Sequence, residues 1–274
     1  MRIVYDARMI DRPLSGLGRF AGELLLALLD SDIRPDVSVD VLAPAATNPA
    51  NNRHLRLLAP HIDRGRCAVH YLTVPAISIE QQWAIPRFLR QLGGDLYFYP
   101  HFDVPSSAPI PFLFVVHDLI PLKVPGYVLR FEALKKRYYK SCVRRGLRKS
   151  RRCIVVSATT KADMLHQFGG QWARKVQVSY EGSSLDATTV DHSLRAGLGV
   201  NGRYLLYVGT RRPNKNIKFL IDLFAEMRSR FGYSGQLVMA AGVVLVLARR
   251  RERVEGDAVL DDFREPDVVA ADRQ

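Results

Sequence analysis

A histidine and an aspartate, His117-Asp118, close the apolar run Phe112 to Val116 in the stretch FLFVVHDLIPL. Five apolar residues in a row read as a strand buried on both faces, the pattern of a parallel sheet. The polar pair then falls at the strand's carboxyl end, where open α/β sheets bind their ligands. An imidazole placed there can donate or accept a hydrogen bond near neutral pH. The competing reading is a histidine that merely finishes the strand. Two further groups of residues suit phosphate. Gly16 and Gly18, in Ser15-Gly16-Leu17-Gly18-Arg19, let backbone N–H groups approach an anion at the start of a helix. Arg211, Arg212 and Lys215, in GTRRPNKN, put fixed positive charge at a second strand–helix junction. A plain tight turn and a solvated loop are the alternatives for these two.

The elements that must hold these groups alternate between strand and helix. RIVYDA (Arg2 to Ala7) reads as the first strand. Phe20, Leu24, Leu25, Leu28 and Leu29 recur at helical spacing after it. Further strands are expected at Val37 to Leu42, Ala68 to Val74, Asp95 to Tyr99, Cys153 to Ser157 and Val176 to Tyr180. Pro44 to Pro60 is polar and reads as a loop. Glu80 to Leu92 reads as a helix, with Pro86 a difficulty in its middle. Ser157-Ala158-Thr159-Thr160 can cap the helix TKADMLHQF, and Gly169-Gly170 ends it. Asp186 to Asn201 is irregular, as expected of a linker. Tyr204 to Val208 opens a second strand–loop–helix unit, whose helix carries Phe219, Leu220, Leu223, Phe224 and Met227. Leu237 to Met239 begins its next strand.

Composition narrows the class. Of 274 residues 47% are hydrophobic and 24% charged, a globular balance, and the formal net charge of +13 calls for an anionic partner. Three scattered cysteines (Cys67, Cys142, Cys153) have no zinc-type spacing and fit a reducing cytosol. No apolar run is long enough to cross a bilayer, and the opening MRIVYDAR lacks a signal peptide's apolar core. Tyr127 to Arg152 reads as a basic amphipathic helix. Phe131, Leu134, Tyr138, Cys142 and Val143 form its apolar stripe. Arg130, Lys135, Lys136, Lys140, Arg144 and Arg148 are among eleven basic residues from 130 to 152, against the single acid Glu132. Such a helix suits an anionic membrane surface, and a solvated core helix is the alternative. No motif interleaving basic and aromatic residues supports nucleic-acid binding.

Four features in order, DAR…SGLGRF, EQ…P…DLYFYPHF, VVHDLIPL and YVGTRRPNKN, resemble the GT-B glycosyltransferases of family 4. The flavour is that of bacterial mannosyltransferases of surface polysaccharide and lipopolysaccharide synthesis, and the resemblance covers residues 1 to 242. It implies an α/β fold with an N-terminal Rossmann-like parallel-sheet domain on the acceptor side (1–182), a partial donor-binding domain (183–242) and an atypical tail (243–274). The implied reaction is transfer of a hexose, with retention, from a nucleotide-sugar such as GDP-mannose to a lipid-linked or glycan acceptor, without a metal ion. His117 would sit beside the donor sugar and Asp118 would orient its loop. Gly16, Gly18, Lys215 and an arginine would meet the diphosphate. The implied place is the cytoplasm, on the inner face of the plasma membrane.

Three features depart from that resemblance. Thr210 stands where many relatives have the diphosphate arginine, and Arg211 and Arg212 follow it. No glutamate has another eight residues on, whereas the family carries such a pair in its second domain. After Met239 the strand–loop–helix rhythm is lost. A truncated transferase, weak or inactive by itself, is therefore expected, with a non-catalytic chain that keeps an anion- or membrane-binding surface as the alternative.

Overall fold

The computed structural model describes residues 1–10, 16–31, 36–105, 107–125, 127, 131–183, 199–200, 202–210, 213–241 and 244–248. The chain divides into two compact units, Met1–Ser184 and Leu185–Gln274.

In the first unit seven strands form one parallel sheet. They are β1 (Arg2–Asp6), β2 (Ser38–Pro44), β3 (Cys67–Leu72), β4 (Leu96–Tyr99), β5 (Phe112–Val116), β6 (Arg152–Val155) and β7 (Val176–Val178). Their spatial order is β3-β2-β1-β4-β5-β6-β7, the doubly wound Rossmann order. The direction of winding reverses between β1 and β4, which opens a crevice at their carboxyl ends. β5 pairs with β4 on one side and β6 on the other, so Phe114, Val115 and Val116 are wholly buried.

The helices are α1 (Gly16–Asp30), the short α2 (Arg53–Arg56) and α3 (Ala59–Asp63), α4 (Gln81–Leu92), the single turn α5 (Ile120–Lys123), α6 (Glu132–Lys149) and α7 (Ala158–Phe168). One sheet face packs Ile3, Tyr5 and Val41 under Leu25 and Leu29 of α1 and Leu55 of α2. The other packs Tyr97, Phe114 and Val155 under Ile85 and Leu89 of α4, Tyr139, Val143 and Leu147 of α6, and Met164 of α7. At Gly146 an added Cβ would lie 2.7 Å from the Phe114 ring, so only glycine lets α6 lie this close to β5.

Two sequence expectations change, and the difficulty noted at Pro86 is resolved. Pro44 to Pro60 is not an extended loop: Asn48 and Asn52 cap a 3-10 turn (Pro49–Asn51) and α2, each accepting a backbone N–H on its side-chain oxygen. Pro86 does not break α4. Its missing N–H leaves the Gln82 carbonyl free, and the Ser107 hydroxyl donates to that oxygen at 3.2 Å. The apolar stripe of α6 is also turned. The helix buries Tyr139, Cys142, Val143, Gly146 and Leu147, while Phe131, Leu134 and Tyr138 are exposed.

The second unit's described part holds β8 (Tyr204–Val208), α8 (Ile217–Phe231), β9 (Gln236–Ala241) and β10 (Val244–Ala248). β8 and β9 are parallel, and β10 returns antiparallel to β9. Phe224 of α8 packs on Leu237 and Met239, with Leu205 and Tyr207 beside them. The alternate β8 residues Tyr204, Leu206 and Val208 are exposed, so α8 covers one face of this strand and solvent meets the other.

Candidate functional site

The parallel sheet brings the ends of β1, β4 and β5 to the edge where the winding reverses. His117 follows β5 directly. Its Nε2–H donates to the Pro100 carbonyl at 3.0 Å, which assigns the ring proton to that nitrogen. Nδ1 then faces Oε1 of Glu181 at 3.3 Å. The Phe20 ring meets the imidazole edge-on, 4.6 Å between centroids. Burial is the largest influence on this ring and pushes its pKa below the ordinary histidine value, with nearby His101 adding to the fall and Glu181 opposing it. A neutral ring protonated on Nε2 presents Nδ1 as an acceptor. An ionised carboxylate cannot satisfy it, but an O–H donor can.

Asp118 is exposed and works on the backbone. Its carboxylate accepts the Ile120 N–H at 2.9 Å, and its carbonyl accepts the Tyr139 hydroxyl at 2.6 Å. The Thr160 hydroxyl donates to the His117 carbonyl at 3.2 Å. The loop after β5 is thus tied to both α6 and α7.

Beneath the crevice lies a buried polar network that assignment from single motifs overlooked. Arg8, wholly buried after β1, donates through Nε and Nη2 to both carboxylate oxygens of Asp6, at 2.9 and 2.7 Å. Tyr97 donates to the same carboxylate at 2.6 Å. The Gln81 amide oxygen accepts from Arg8 at 3.1 Å and shares the one Tyr99 hydroxyl proton, also 3.1 Å away, with Asp103, and its nitrogen donates to Asp103 at 2.7 Å. Asp103, fully buried, also receives Tyr99 at 3.0 Å and His101 Nδ1 at 2.5 Å. Every charge here has a partner, as burial requires. The sequence signal was present in DAR, EQ and YPHF, the quoted motifs that supply Asp6, Arg8, Gln81, Tyr99 and His101.

The residues expected to meet phosphate are placed as follows. Gly16 opens α1 beyond the carboxyl end of β1, and a Cβ added there would meet nothing within 4 Å. Gly18 is buried one turn in. In the second unit Lys215 is exposed on the 3-10 turn Pro213–Lys215, just before α8. The first turn of α8 holds no acidic residue, and Asn216 makes no side-chain cap there. Arg211 and Arg212 lie outside the described residues.

On α6, Lys136, Arg137, Lys140, Arg144, Arg145 and Arg148 line a shallow cleft of about 410 Å³. Lys135 is exposed outside that lining, and Arg130 falls outside the described residues. Lys136 pairs with Glu132 at 2.6 Å, the one acid of the helix. Arg137 and Arg145, two of the eleven basic residues counted in the sequence but outside the six named there, complete this lining. Among the described residues no group of three or more His, Cys, Asp or Glu could hold a metal ion, and no helix is long and apolar enough to cross a membrane. All three cysteines are free and buried.

The fold has solved relatives. Anabaena HepE, in a crystal structure with UDP and glucose, is 18% identical, with a TM-score of 0.52 over 82% of this chain and 58% of its own. Sucrose-phosphate synthase of Thermosynechococcus elongatus is 14% identical, with a TM-score of 0.60 over 96% of this chain and 66% of its own. The chain thus spans less than two thirds of the length of either protein. No curated protein matches it. The model of Glycosyltransferase Family 4 matches residues 14–186, more than half of the chain and nearly all of the first unit. The order β3-β2-β1-β4-β5-β6-β7, with His117 at its carboxyl edge, is thus the N-terminal sheet of a GT-B protein, and the chain belongs to Glycosyltransferase Family 4.

Proposed function

We propose that this protein moves a hexose from a nucleotide-sugar to a lipid-linked or glycan acceptor, with retention at the anomeric carbon. One observation carries the reading: His117, at the carboxyl edge of the sheet beside the point where the winding reverses, spends Nε2–H on the Pro100 carbonyl and leaves Nδ1 as an acceptor facing Glu181. A sugar hydroxyl suits that acceptor. The N-terminus of α1 at Gly16 and, in the second unit taken by itself, the N-terminus of α8 beside Lys215 each suit a phosphate, because helix N-termini and fixed cations offset leaving-group charge without a metal ion. Mannose, carried by GDP, is the donor sugar favoured by sequence resemblance. The UDP and glucose held by Anabaena HepE make UDP-hexoses the second donor class to test. The basic face of α6 would hold the enzyme against an anionic membrane, with the acceptor's lipid beside it.

A second reading has its own support. No glutamate of the chain has another eight residues on, so the pair expected near ribose and donor sugar is absent. A non-catalytic chain that keeps the anion-binding surface fits that fact, and so does weak turnover by this polypeptide alone. Calorimetric titration with GDP-mannose and UDP-glucose, followed by assays for released nucleoside diphosphate, separates the two. Saturable binding with slow release that fails in His117→Ala supports the transferase. Binding without release under any acceptor supports the second reading, and no binding of either donor defeats the first.

A further inference from the structure

The segment between β3 and α4 is apolar, exposed and held in place. Ile79 is 75% exposed and Trp83 60%, and Ile77 beside them is also exposed. Ile77 has φ of 58°, a left-handed conformation that β-branched residues rarely adopt. Such a backbone persists only where its surroundings over-determine it, and here they do. The buried Arg8 donates through Nη1 to the Val74 and Pro75 carbonyls at 3.0 and 3.2 Å. The Ser78 hydroxyl donates to Pro75 at 2.8 Å and accepts the Gln81 N–H at 3.2 Å. The network under the crevice therefore also fixes a loop that shows large apolar side chains to water.

α4 and α6 pack on the same sheet face, and both begin at the sheet's carboxyl edge. The loop between β4 and β5 joins them: Gln82 donates to the Asp103 carbonyl at 3.3 Å, and Phe102 stacks on Tyr139 with centroids 4.2 Å apart. At the start of α6 stand Phe131, 65% exposed and also left-handed at φ 56°, and Leu134, 67% exposed. The basic cleft of the same helix runs back from them. The acids nearest these side chains in sequence are Glu80 and the Lys136-paired Glu132.

We propose that Ile77, Ile79 and Trp83, together with Phe131 and Leu134 at the start of α6, insert into an anionic lipid surface and seat the crevice against it. The inference rests on the reading of α6 as a membrane face, and adds an apolar anchor that charge alone does not supply. Charge complementarity selects the occupant: exposed Phe131 and Leu134 open the helix that carries the six cations, on a chain of net charge +13, and apolar and basic side chains on one element match a layer of anionic headgroups over acyl chains. A protein partner with an acidic apolar surface is the alternative occupant.

The test uses the full chain carrying Trp172→Phe, which leaves Trp83 as the sole tryptophan. Vesicles of equal parts phosphatidylglycerol and phosphatidylcholine are the probe. The expected result is a blue shift of Trp83 emission, quenching by brominated acyl chains, and an affinity about five- to tenfold lower for Ile79→Ser. Ile79 is exposed, so the melting temperature of that variant should stay with the parent's. Vesicle sedimentation with unchanged emission would overturn the anchor and leave the charge-based membrane reading standing. Absence of sedimentation at low salt would overturn both.

Discussion

The Nδ1 atom of His117 lies 3.3 Å from Oε1 of Glu181, while its Nε2 is spent on the Pro100 carbonyl. Burial lowers the pKa of this ring, so the unfolded chain takes up a proton that the folded chain resists. Stability from this group is therefore complete above the ordinary histidine pKa, near 6.5, and falls as pH drops toward the lower folded value. Between pH 7.5 and 5.5 the melting temperature of the native protein should drop more steeply than that of His117→Gln. Parallel curves would show that His117 is not the buried neutral group described.

Arg8 and Asp6 form a bidentate pair with almost no exposure. Arg8→Met leaves the Asp6 charge buried with only the Tyr97 hydroxyl and the backbone N–H of residue 8 to bond it, so it should cost about 3–5 kcal/mol in chemical denaturation. Asp6→Asn combined with Arg8→Met should recover part of that loss. A single substitution costing under about 1 kcal/mol would contradict the network's role.

Two glycines separate packing from ligand approach. Gly146→Ala drives a Cβ into the Phe114 ring at the centre of the sheet and should destabilise by about 1–3 kcal/mol. Gly16→Ala meets open space and should change stability by no more than about 0.5 kcal/mol. Its effect should appear instead as weaker donor binding, because a methyl group crowds the N–H groups proposed to meet the diphosphate. Equal losses of stability in the two variants would reverse these assignments.

Much of this was legible in the sequence, for reasons that particular residues make clear. β5 could be read because a strand paired on both sides needs an unbroken apolar run, and Phe112 to Val116 supply it. His117 followed from that strand's end. The network could not be read so directly. Arg8 and Gln81 are 73 residues apart, Tyr97 and Asp6 are 91 apart, and only the sheet order brings them together. The stripe of α6 was turned because Gly146 gives no hydrophobic signal, yet marks the line along which the helix meets Phe114. The helix over Glu80 to Leu92 was read despite Pro86, and what accommodates that proline, Ser107 at the Gln82 carbonyl, lies outside the helix.

The cleft of α6 makes a prediction of its own. Lys140→Glu, Arg144→Glu and Arg148→Glu together reverse half of its six cations. At about 1 kcal/mol for each basic residue near an anionic surface, sedimentation with phosphatidylglycerol vesicles should weaken by a factor of about 100 or more. Raising the salt should weaken the native protein in the same direction. A triple variant that binds as the native chain does would remove α6 from the membrane account.

The most direct test of the whole reading is release of nucleoside diphosphate from GDP-mannose and UDP-glucose, measured for the full chain and for His117→Ala. The account predicts saturable release well below the roughly 10 s⁻¹ of a median enzyme, falling about 100-fold or more in the variant, an order of magnitude expected when a group that stabilises the transition state is removed. Release that is unchanged by His117→Ala, or no binding of either donor, would contradict it.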